Sequence, residues 1–363
     1  MKKQTIAKIR LMKKKDKEYL YQLLAVPSPS GFETKAQDIT ESYLKPHADE
    51  IIRDLNGNLI AHKKGSGKRK IMIVGHADEI GFMVNYIDEN GYLYVKTLGG
   101  FDVNLLPGLR VDIHTNKGIV RGLFGKKAVH MMRGDGDAPK LKIEDVWIDI
   151  GAKDKKDAEN KVQIGDIITY NCQIEEFSND RIVSKATDNK VGVYVAASVM
   201  KELSKTSLKA HLYSVASVGE ETTMKGARTS SFTIEPDIAI AVDVTFSTDI
   251  PAADKRSFGD VSLGKGPALA LGAALHPKLN QSLRDLAAKH KIPLQIELSP
   301  AGTGTDADGI HAQKRGVATM VLSIPNRYMH SPNEMISLSD LDNAVKLLVE
   351  FVKTVDDNID LSR

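Results

Sequence analysis

Cysteine is almost absent from this sequence, because Cys172 is the only one among 363 residues. A single thiol excludes an intrachain disulfide and is typical of a reducing compartment. Net charge is also small, since 50 lysines and arginines against 47 aspartates and glutamates give a formal charge of +3. So weak a basic excess does not indicate nucleic acid as a partner.

Long apolar stretches are missing as well. No uninterrupted apolar run approaches the ~20 residues that a membrane-spanning helix needs. The lysine-rich N-terminal region lacks the apolar segment of a secretory signal. The hydrophobic content of 42% is nevertheless enough for a sizeable core. We therefore expect a cytoplasmic protein that does not bind a membrane.

The sequence does contain strand-like and helix-like segments in alternation, on both sides of a different central stretch. Residues 212–218 and 238–242 are continuous apolar runs, as in strands buried on both faces. Residues 82–177 instead show short alternating runs separated by Gly and Asp turns. This pattern predicts an α/β fold with a mixed, mostly parallel sheet and helices on both faces. It assigns 1–81 and 178–363 to a catalytic domain, and 82–177 to a small inserted β-rich domain.

Two adjacent acids, Glu220 and Glu221, follow the strand predicted at 212–218. Neighbouring side chains that leave a strand point in different directions, so one can bind a metal while the other faces a substrate or a water. Two solvated glutamates are the simpler explanation for the pair alone. A buried pair would be costly unless a cation lay beside it.

Other potential ligands occupy comparable places along the chain. His76, Asp243 and His330 follow predicted strands, and Asp188 precedes a predicted helix. Each has an ordinary explanation when taken alone, such as a helix N-cap for Asp188. In α/β sheets, however, ligands bind beyond the carboxyl ends of the strands. We therefore expect these side chains to meet there.

Two imidazoles and three carboxylates suit two divalent cations of the zinc or cobalt type. Two such ions polarise a carbonyl group and activate a bridging water. Glu220 would then be free to act as general base, taking a proton from that water and passing it to the leaving amine. The predicted metal ligands are His76, Asp188, Glu221, Asp243 and His330.

Several motifs, in order over nearly the whole chain, resemble those of the M42 metalloaminopeptidases. They are residues 29–33 (PSGFE), 75–82 (GHADEIGF), 188–192 (DNKVG), 220–221 (EE), 225–227 (KGA), 242–243 (VD), 304–306 (GTD) and 327–332 (RYMHSP). The sequence departs from the usual family residues at Lys190, Gly219, Thr223 and Thr303, none of which is a predicted ligand.

The resemblance implies a zinc-peptidase-like fold and the removal of residues from the N-termini of peptides. It implies that Asp188 bridges the two metals. His76 and Asp243 would complete one metal site, and Glu221 and His330 the other.

The same resemblance implies further roles. Glu220 would be the proton acceptor, and Asp78 would belong to the catalytic machinery without binding a metal. The stretch 82–177 would be a β-barrel-like dimerisation domain, and the chain would assemble into a homo-oligomer, from a dimer up to a dodecamer.

Two local predictions are independent of this resemblance. Ser30, followed by Glu33, predicts a capping box at the start of a helix. Residues 125–137 predict a long loop, in which His130 is a weaker candidate for a site residue.

Three alternative functions remain open at this stage. A related deacylase or carboxypeptidase would keep the two metals and change the substrate. An endoglucanase, as some family members are called, needs two carboxylates that face each other across a sugar, whereas the acids here are better explained as ligands. A non-enzymatic metal-bearing scaffold disagrees with an intact ligand set beside Glu220.

Overall fold

The structure is a computed structural model that describes residues 12–131, 140–251 and 253–363. Its helices are α1 (Lys14–Ala25), α2 (Thr34–Leu44), α3 (Lys155–Glu159), α4 (Thr187–Leu203), α5 (Glu220–Thr223), α6 (Lys225–Ile234), α7 (Lys255–Phe258), α8 (Pro277–His290), α9 (Asp306–Ile310) and α10 (Leu338–Thr354). Its strands are β1 (Glu50–Arg53), β2 (Leu59–Lys63), β3 (Lys70–His76), β4 (Gly81–Ile87), β5 (Leu93–Leu98), β6 (Arg110–Thr115), β7 (Gly118–Lys126), β8 (Val146–Asp149), β9 (Ile167–Tyr170), β10 (Glu175–Phe177), β11 (Arg181–Ser184), β12 (His211–Ser217), β13 (Ile238–Phe246), β14 (Ala268–Leu271), β15 (Gln295–Leu298), β16 (Ala318–Asn326) and β17 (Glu334–Ser337).

A mixed eight-stranded sheet has the order β1-β2-β12-β3-β13-β16-β14-β15. Its four central strands, β12, β3, β13 and β16, are parallel, so their carboxyl ends meet at one edge. The strands β1, β2 and β14 introduce antiparallel pairs on either side. The mixed α/β fold predicted from the sequence is confirmed.

Helices cover both faces of this sheet, as the alternation along β13 shows. Ile238, Ile240 and Val242 pack into the core that α4 and α10 share with the sheet. Ala239 and Ala241 face the opposite way, into a smaller core that includes side chains of α6 and α9. Full burial of each Ile or Val side chain stabilises the fold by roughly 1.5–3 kcal/mol.

A closed barrel of order β4-β5-β8-β7-β6-β9 lies in sequence between β3 and α4. Its interior is filled by apolar side chains that include Phe82, Phe124 and Ile168. Closure pairs every strand on both sides and leaves no open edge. The short strand β10, also within 82–177, pairs outside the barrel with β11, in a sheet completed by β17.

Two predicted strand ends differ from the structure. β13 continues past Asp243 to Phe246, and β16 includes Pro325, because these two strands pair in register from Ile238↔Ala318 to Phe246↔Asn326. Asp243 therefore lies inside a strand and not after it. Within the described residues, no helix has the length and apolar character needed to cross a membrane.

Candidate active site

The carboxyl edge of the central strands gathers the predicted ligands. His76 is the last residue of β3, and Glu221 lies in the short helix α5 just after β12. Asp243 projects from β13, and His330 follows β16. Asp188 lies at the start of α4 with a non-helical backbone (φ −79°, ψ 107°). The structure thus brings together side chains from five separate segments of the chain.

Asp188 occupies the centre of this group. Its Oδ1 lies 3.2 Å from Nε2 of His76, and its Oδ2 lies 3.2 Å from Nε2 of His330. The two oxygens of one carboxylate therefore face two different imidazoles. This is the arrangement that a carboxylate bridging two cations requires.

The remaining acids divide between the two histidines. Asp243 Oδ1 lies 3.9 Å from His76 Nε2, and Glu221 Oε1 lies 3.5 Å from His330 Nε2. His76, Asp188 and Asp243 form one group whose ligand atoms all lie within 4.8 Å of one another, and Asp188, Glu221 and His330 form a second such group.

The chemistry of these donors fits divalent metals. Oε1 of Glu221 is buried and has no hydrogen-bond partner among the described residues. A buried carboxylate oxygen without a partner is costly, and a cation would offset that cost. Imidazole nitrogens mixed with carboxylate oxygens are the ligands of zinc and related ions.

The pKa shifts of these side chains also indicate a site that favours cations. Burial raises the pKa of Glu220 to about 8 and that of Asp243 well above its usual value, and the neighbouring acids add to both shifts. The neighbouring carboxylates of Asp188 and Glu221 raise the pKa of His330 to about 11.

Asp78 supports the site without entering either ligand group. Its Oδ1 accepts a hydrogen bond from Glu220 N–H and its Oδ2 one from Glu221 N–H, both at 3.1 Å. Asp78 Oδ1 also lies 3.4 Å from Nδ1 of His76, the ring nitrogen opposite to the one that faces Asp188. Nδ1 of His76 donates a hydrogen bond to the Asp78 backbone carbonyl at 3.1 Å, so Asp78 orients this histidine and the turn that carries both glutamates.

The predicted capping box at Ser30 is wrong. The Ser30 hydroxyl donates to Asp78 Oδ2 at 2.6 Å instead of capping α2. The Glu33 carboxylate accepts from the N–H groups of Gly31 and Gly219. A buried carboxylate near the site competes successfully for the serine hydroxyl that the local sequence assigns to the helix.

Glu334 is a site residue that the sequence analysis missed. It is buried, and it accepts hydrogen bonds from the Thr187 hydroxyl (2.8 Å), Asp188 N–H (2.9 Å) and His330 N–H (2.9 Å). Burial raises its pKa to about 8. It fixes the backbones of two predicted ligands, yet Asp188 is 146 residues away in sequence, so no local pattern marks it.

A second buried group ties the 75–82 segment to α4. Glu79 accepts hydrogen bonds from Lys185 and Lys190, and Lys190 also donates to the Val26 carbonyl. All three charged side chains are buried. Because Glu79 follows Asp78, and Lys190 lies two residues after Asp188, this cluster holds the two segments in register.

The site opens into a cavity of about 740 Å³. Glu220 and all five predicted ligands line it, together with residues of β13, β15 and β16. His130 is exposed and does not belong to this lining. Residues 132–139, which include part of the predicted loop 125–137, lie outside the described residues.

Comparison with known proteins identifies the family. The sequence profile of the M42 glutamyl aminopeptidases matches residues 57–347, which is most of the chain. The chain belongs to this M42 family. It is 38% identical over 349 residues to the lysyl aminopeptidase of Pyrococcus furiosus, a match that covers 94% of this chain and 99% of that protein.

Solved structures agree with the M42 assignment. A TET aminopeptidase from a marine sediment Thaumarchaeota archaeon has a TM-score of 0.90 at 32% identity, covering 94% of this chain and 97% of that one. The TET1 peptidase of Pyrococcus horikoshii, which can assemble into a tetrahedron or a large octahedral shell, has a TM-score of 0.83 at 28% identity, covering 94% and 100%.

Membership of the M42 family makes the chain an aminopeptidase, a hydrolase that acts on peptides, as the sequence predicts. M42 peptidases are metal-dependent, and this chain carries two groups of candidate metal ligands.

Proposed function

We propose that the chain is a dimetal aminopeptidase that removes N-terminal residues from peptides. The observation that carries this proposal is the position of Asp188, which faces His76 and His330 with its two oxygens. His76 and Asp243 would hold one ion with it, and Glu221 and His330 the other. Zinc or cobalt suits this mixture of nitrogen and oxygen ligands.

The ions, when bound, supply positive charge that polarises the peptide carbonyl and makes water more acidic. Glu220 acts as the general base in this proposal. Its Oε2 lies 3.6 Å from His76 Nε2, and it lines the cavity beside the ligands without belonging to either group. It takes a proton from the attacking water and delivers it to the leaving amine.

Asp78 assists by holding this base in place. Its bonds to Glu220 N–H and Glu221 N–H fix the turn, so Glu220 keeps its orientation while its neighbour Glu221 serves as a ligand. Adjacent glutamates with different roles need such a fixed backbone, because a small rotation would exchange their directions.

An endoglucanase function is less consistent with these contacts. A glycosidase needs an acid and a second carboxylate on opposite sides of a sugar ring. Here Asp188, Glu221 and Asp243 gather around two imidazoles instead. A deacylase or carboxypeptidase shares the ligand set, so substrates blocked at either end must separate these functions from aminopeptidase activity.

The test is the variant Glu220→Gln, assayed with zinc or cobalt on peptides with free and with acetylated N-termini. We expect two bound ions per chain to be retained and turnover to fall by about 10²–10⁴-fold. Glu175→Gln, an exposed acid on β10, is the matched control. Undiminished turnover of Glu220→Gln, or equal hydrolysis of acetylated peptides by the unaltered protein, would refute the proposal.

We further propose that 82–177 is a dimerisation domain inserted into a catalytic domain of 1–81 and 178–363, and that the chain forms a homo-oligomer. Ile119 and Leu123 on β7 are 56% and 46% exposed on the outer side of the barrel, which supports a contact surface there. Replacing both with Lys should lower the mass measured by light scattering. An unchanged mass would contradict this role for β7.

A further inference from the structure

A partly buried carboxylate, Glu297, lies in the cavity wall away from the metal ligands. It belongs to β15 and accepts a hydrogen bond from the hydroxyl of Ser323 on β16. Thr245 on β13 lies beside it as well. Both of these partners line the same cavity, so the carboxylate of Glu297 faces it too.

Strand register shows how Glu297 reaches this position. Ser323 pairs with Asp243 on one side and with Ala268 of β14 on the other, while Glu297 pairs with Ala270. Paired residues and alternate residues of a strand share one face of a sheet, so all of these side chains lie on the same face. The side chains of Ala268 and Ala270 on β14 are small, so the longer side chain of Glu297 extends over β14 towards β16.

Glu297 has no cationic partner in the part of the chain that the structure describes. Its recorded partners are the two hydroxyls, and no Lys, Arg or His forms an ion pair with it. Burial raises the pKa of this carboxyl group. A partly buried carboxylate without a counter-ion has lost part of its hydration, and a cation brought by a ligand would offset that cost.

We propose that Glu297 binds the cationic side chain of the substrate's N-terminal residue, so that the enzyme prefers peptides that begin with lysine or arginine. This inference rests on the proposed aminopeptidase function. Val321, two residues before Ser323 on the same face of β16, adds an apolar residue to the lining of this cavity.

Two cationic side chains, Lys255 and Arg256, also line the cavity, but they would favour an acidic substrate less strongly than Glu297 favours a basic one. Lys255 forms an ion pair with Asp260 and is 51% exposed, and Arg256 pairs with Asp254 and is 93% exposed. Exposed and already paired cations contribute little to recognition. Glu297, in contrast, is partly buried and forms no ion pair among the described residues.

The experiment measures kcat/KM of the metal-reconstituted protein for p-nitroanilides of lysine, arginine, norleucine and glutamate. Norleucine matches the lysine side chain in shape but lacks its charge, and both carry the same α-amine. We expect lysine and arginine to exceed norleucine by about 30-fold or more. Glu297→Gln should remove most of this advantage and leave norleucine hydrolysis nearly unchanged.

Each other outcome counts against the inference. The inference would be overturned if the unaltered protein had the same kcat/KM for the norleucine or glutamate substrate as for the lysine substrate. This outcome does not depend on whether the variant folds. An equal loss for lysine and norleucine in Glu297→Gln would show that Glu297 binds the α-amine or acts structurally. No hydrolysis of any substrate would overturn the proposed function, and this inference with it. Glu175→Gln is the control for an acid removed elsewhere.

Discussion

Asp188 and His330 approach each other to 3.2 Å although they lie 142 residues apart in the sequence. Asp188 is at the start of a helix, and His330 is in a loop after a strand. The Asp188 side chain comes equally close to His76. Because the same carboxylate faces both imidazoles, a change at Asp188 acts on both halves of the site. A change at Glu221 acts on one half only.

The first prediction uses this difference. Asp188→Asn keeps the shape of the side chain and removes its charge, so we expect the affinity for both ions to fall, by more than about 100-fold. Glu221→Gln should lose one ion and retain the other. Metal content after dialysis, measured by atomic emission, distinguishes about zero, one and two ions per chain. Asp285→Asn, an exposed acid on α8, should keep both ions. Equal losses in the two site variants would contradict a bridging role for Asp188.

A second prediction concerns Glu334, which does not line the cavity but accepts hydrogen bonds from the backbones of Asp188 and His330. Glu334→Gln replaces one of the two acceptor oxygens with an NH2 group, which cannot accept. We expect metal affinity to fall by about 10–100-fold and the free energy of unfolding by about 1–3 kcal/mol.

Thr187→Ala serves as the comparison for Glu334→Gln, because Thr187 donates to Glu334 and contacts neither histidine. It should have a smaller effect on metal affinity, as measured by competition with a fluorescent zinc chelator. Unchanged affinity in Glu334→Gln would show that the loops around Asp188 and His330 are held by other contacts.

The sequence indicated the side chains that the structure brings together better than the groups that support them. Acids and histidines directly after apolar runs, such as His76 and Glu221, follow from local pattern and from the rule that parallel strands end at one edge. The roles of Glu334 and Ser30 could not be predicted in this way, because their hydrogen-bond partners come from distant segments of the chain. The end of β13 could not be predicted from local sequence either. Asp243 lies inside this strand because β16 continues to pair with β13 as far as Phe246.

A third prediction follows from the close contact between α4 and the sheet. A Cβ added at Gly192 would lie 2.3 Å from the Val242 carbonyl oxygen, and one added at Gly75 would lie 2.3 Å from the Gly192 backbone. Helix and strands therefore pack backbone to backbone. Gly192→Ala should separate them and lower the free energy of unfolding by about 1–3 kcal/mol.

The increased distance between α4 and the sheet in Gly192→Ala should also weaken metal binding, because Asp188 moves with α4 while Asp243 moves with the sheet. Urea unfolding and metal titration of Gly192→Ala measure the two effects. Glu202→Ala, an exposed position on the same helix, should change stability by no more than about 0.5 kcal/mol. A Gly192→Ala protein with normal stability and normal metal content would contradict this packing argument.

The fourth prediction concerns the segment that carries His330. Tyr328 and His330 both adopt left-handed backbone conformations, with φ of 63° and 58°. Such conformations persist only where the surroundings fix them. The anchor at the start of the segment is Arg327, whose Nε and Nη2 donate to the two carboxylate oxygens of Asp249 at 2.8 and 2.6 Å.

Asp249 should make stability depend on pH at the acid end. Although burial alone would raise the pKa of this carboxyl group, the hydrogen bonds from Arg327 and Ser247 lower it to about 2. The pKa in the folded protein thus lies below the unfolded value of about 3.8. The ion pair therefore stabilises the fold fully above that unfolded value, and the contribution is lost as the pH falls from about 4 towards 2.

The measurement compares urea unfolding of the unaltered protein and of Asp249→Asn at pH 6, 5, 4 and 3. Other groups titrate equally in both proteins, so only the difference in free energy matters. We expect the unaltered protein to be more stable at pH 6 and 5, and this advantage to shrink at pH 4 and 3. Asp249→Asn should also bind the ion at His330 more weakly at pH 7, because Arg327 no longer fixes the segment. A pH-independent difference would show that folding does not lower the pKa of Asp249.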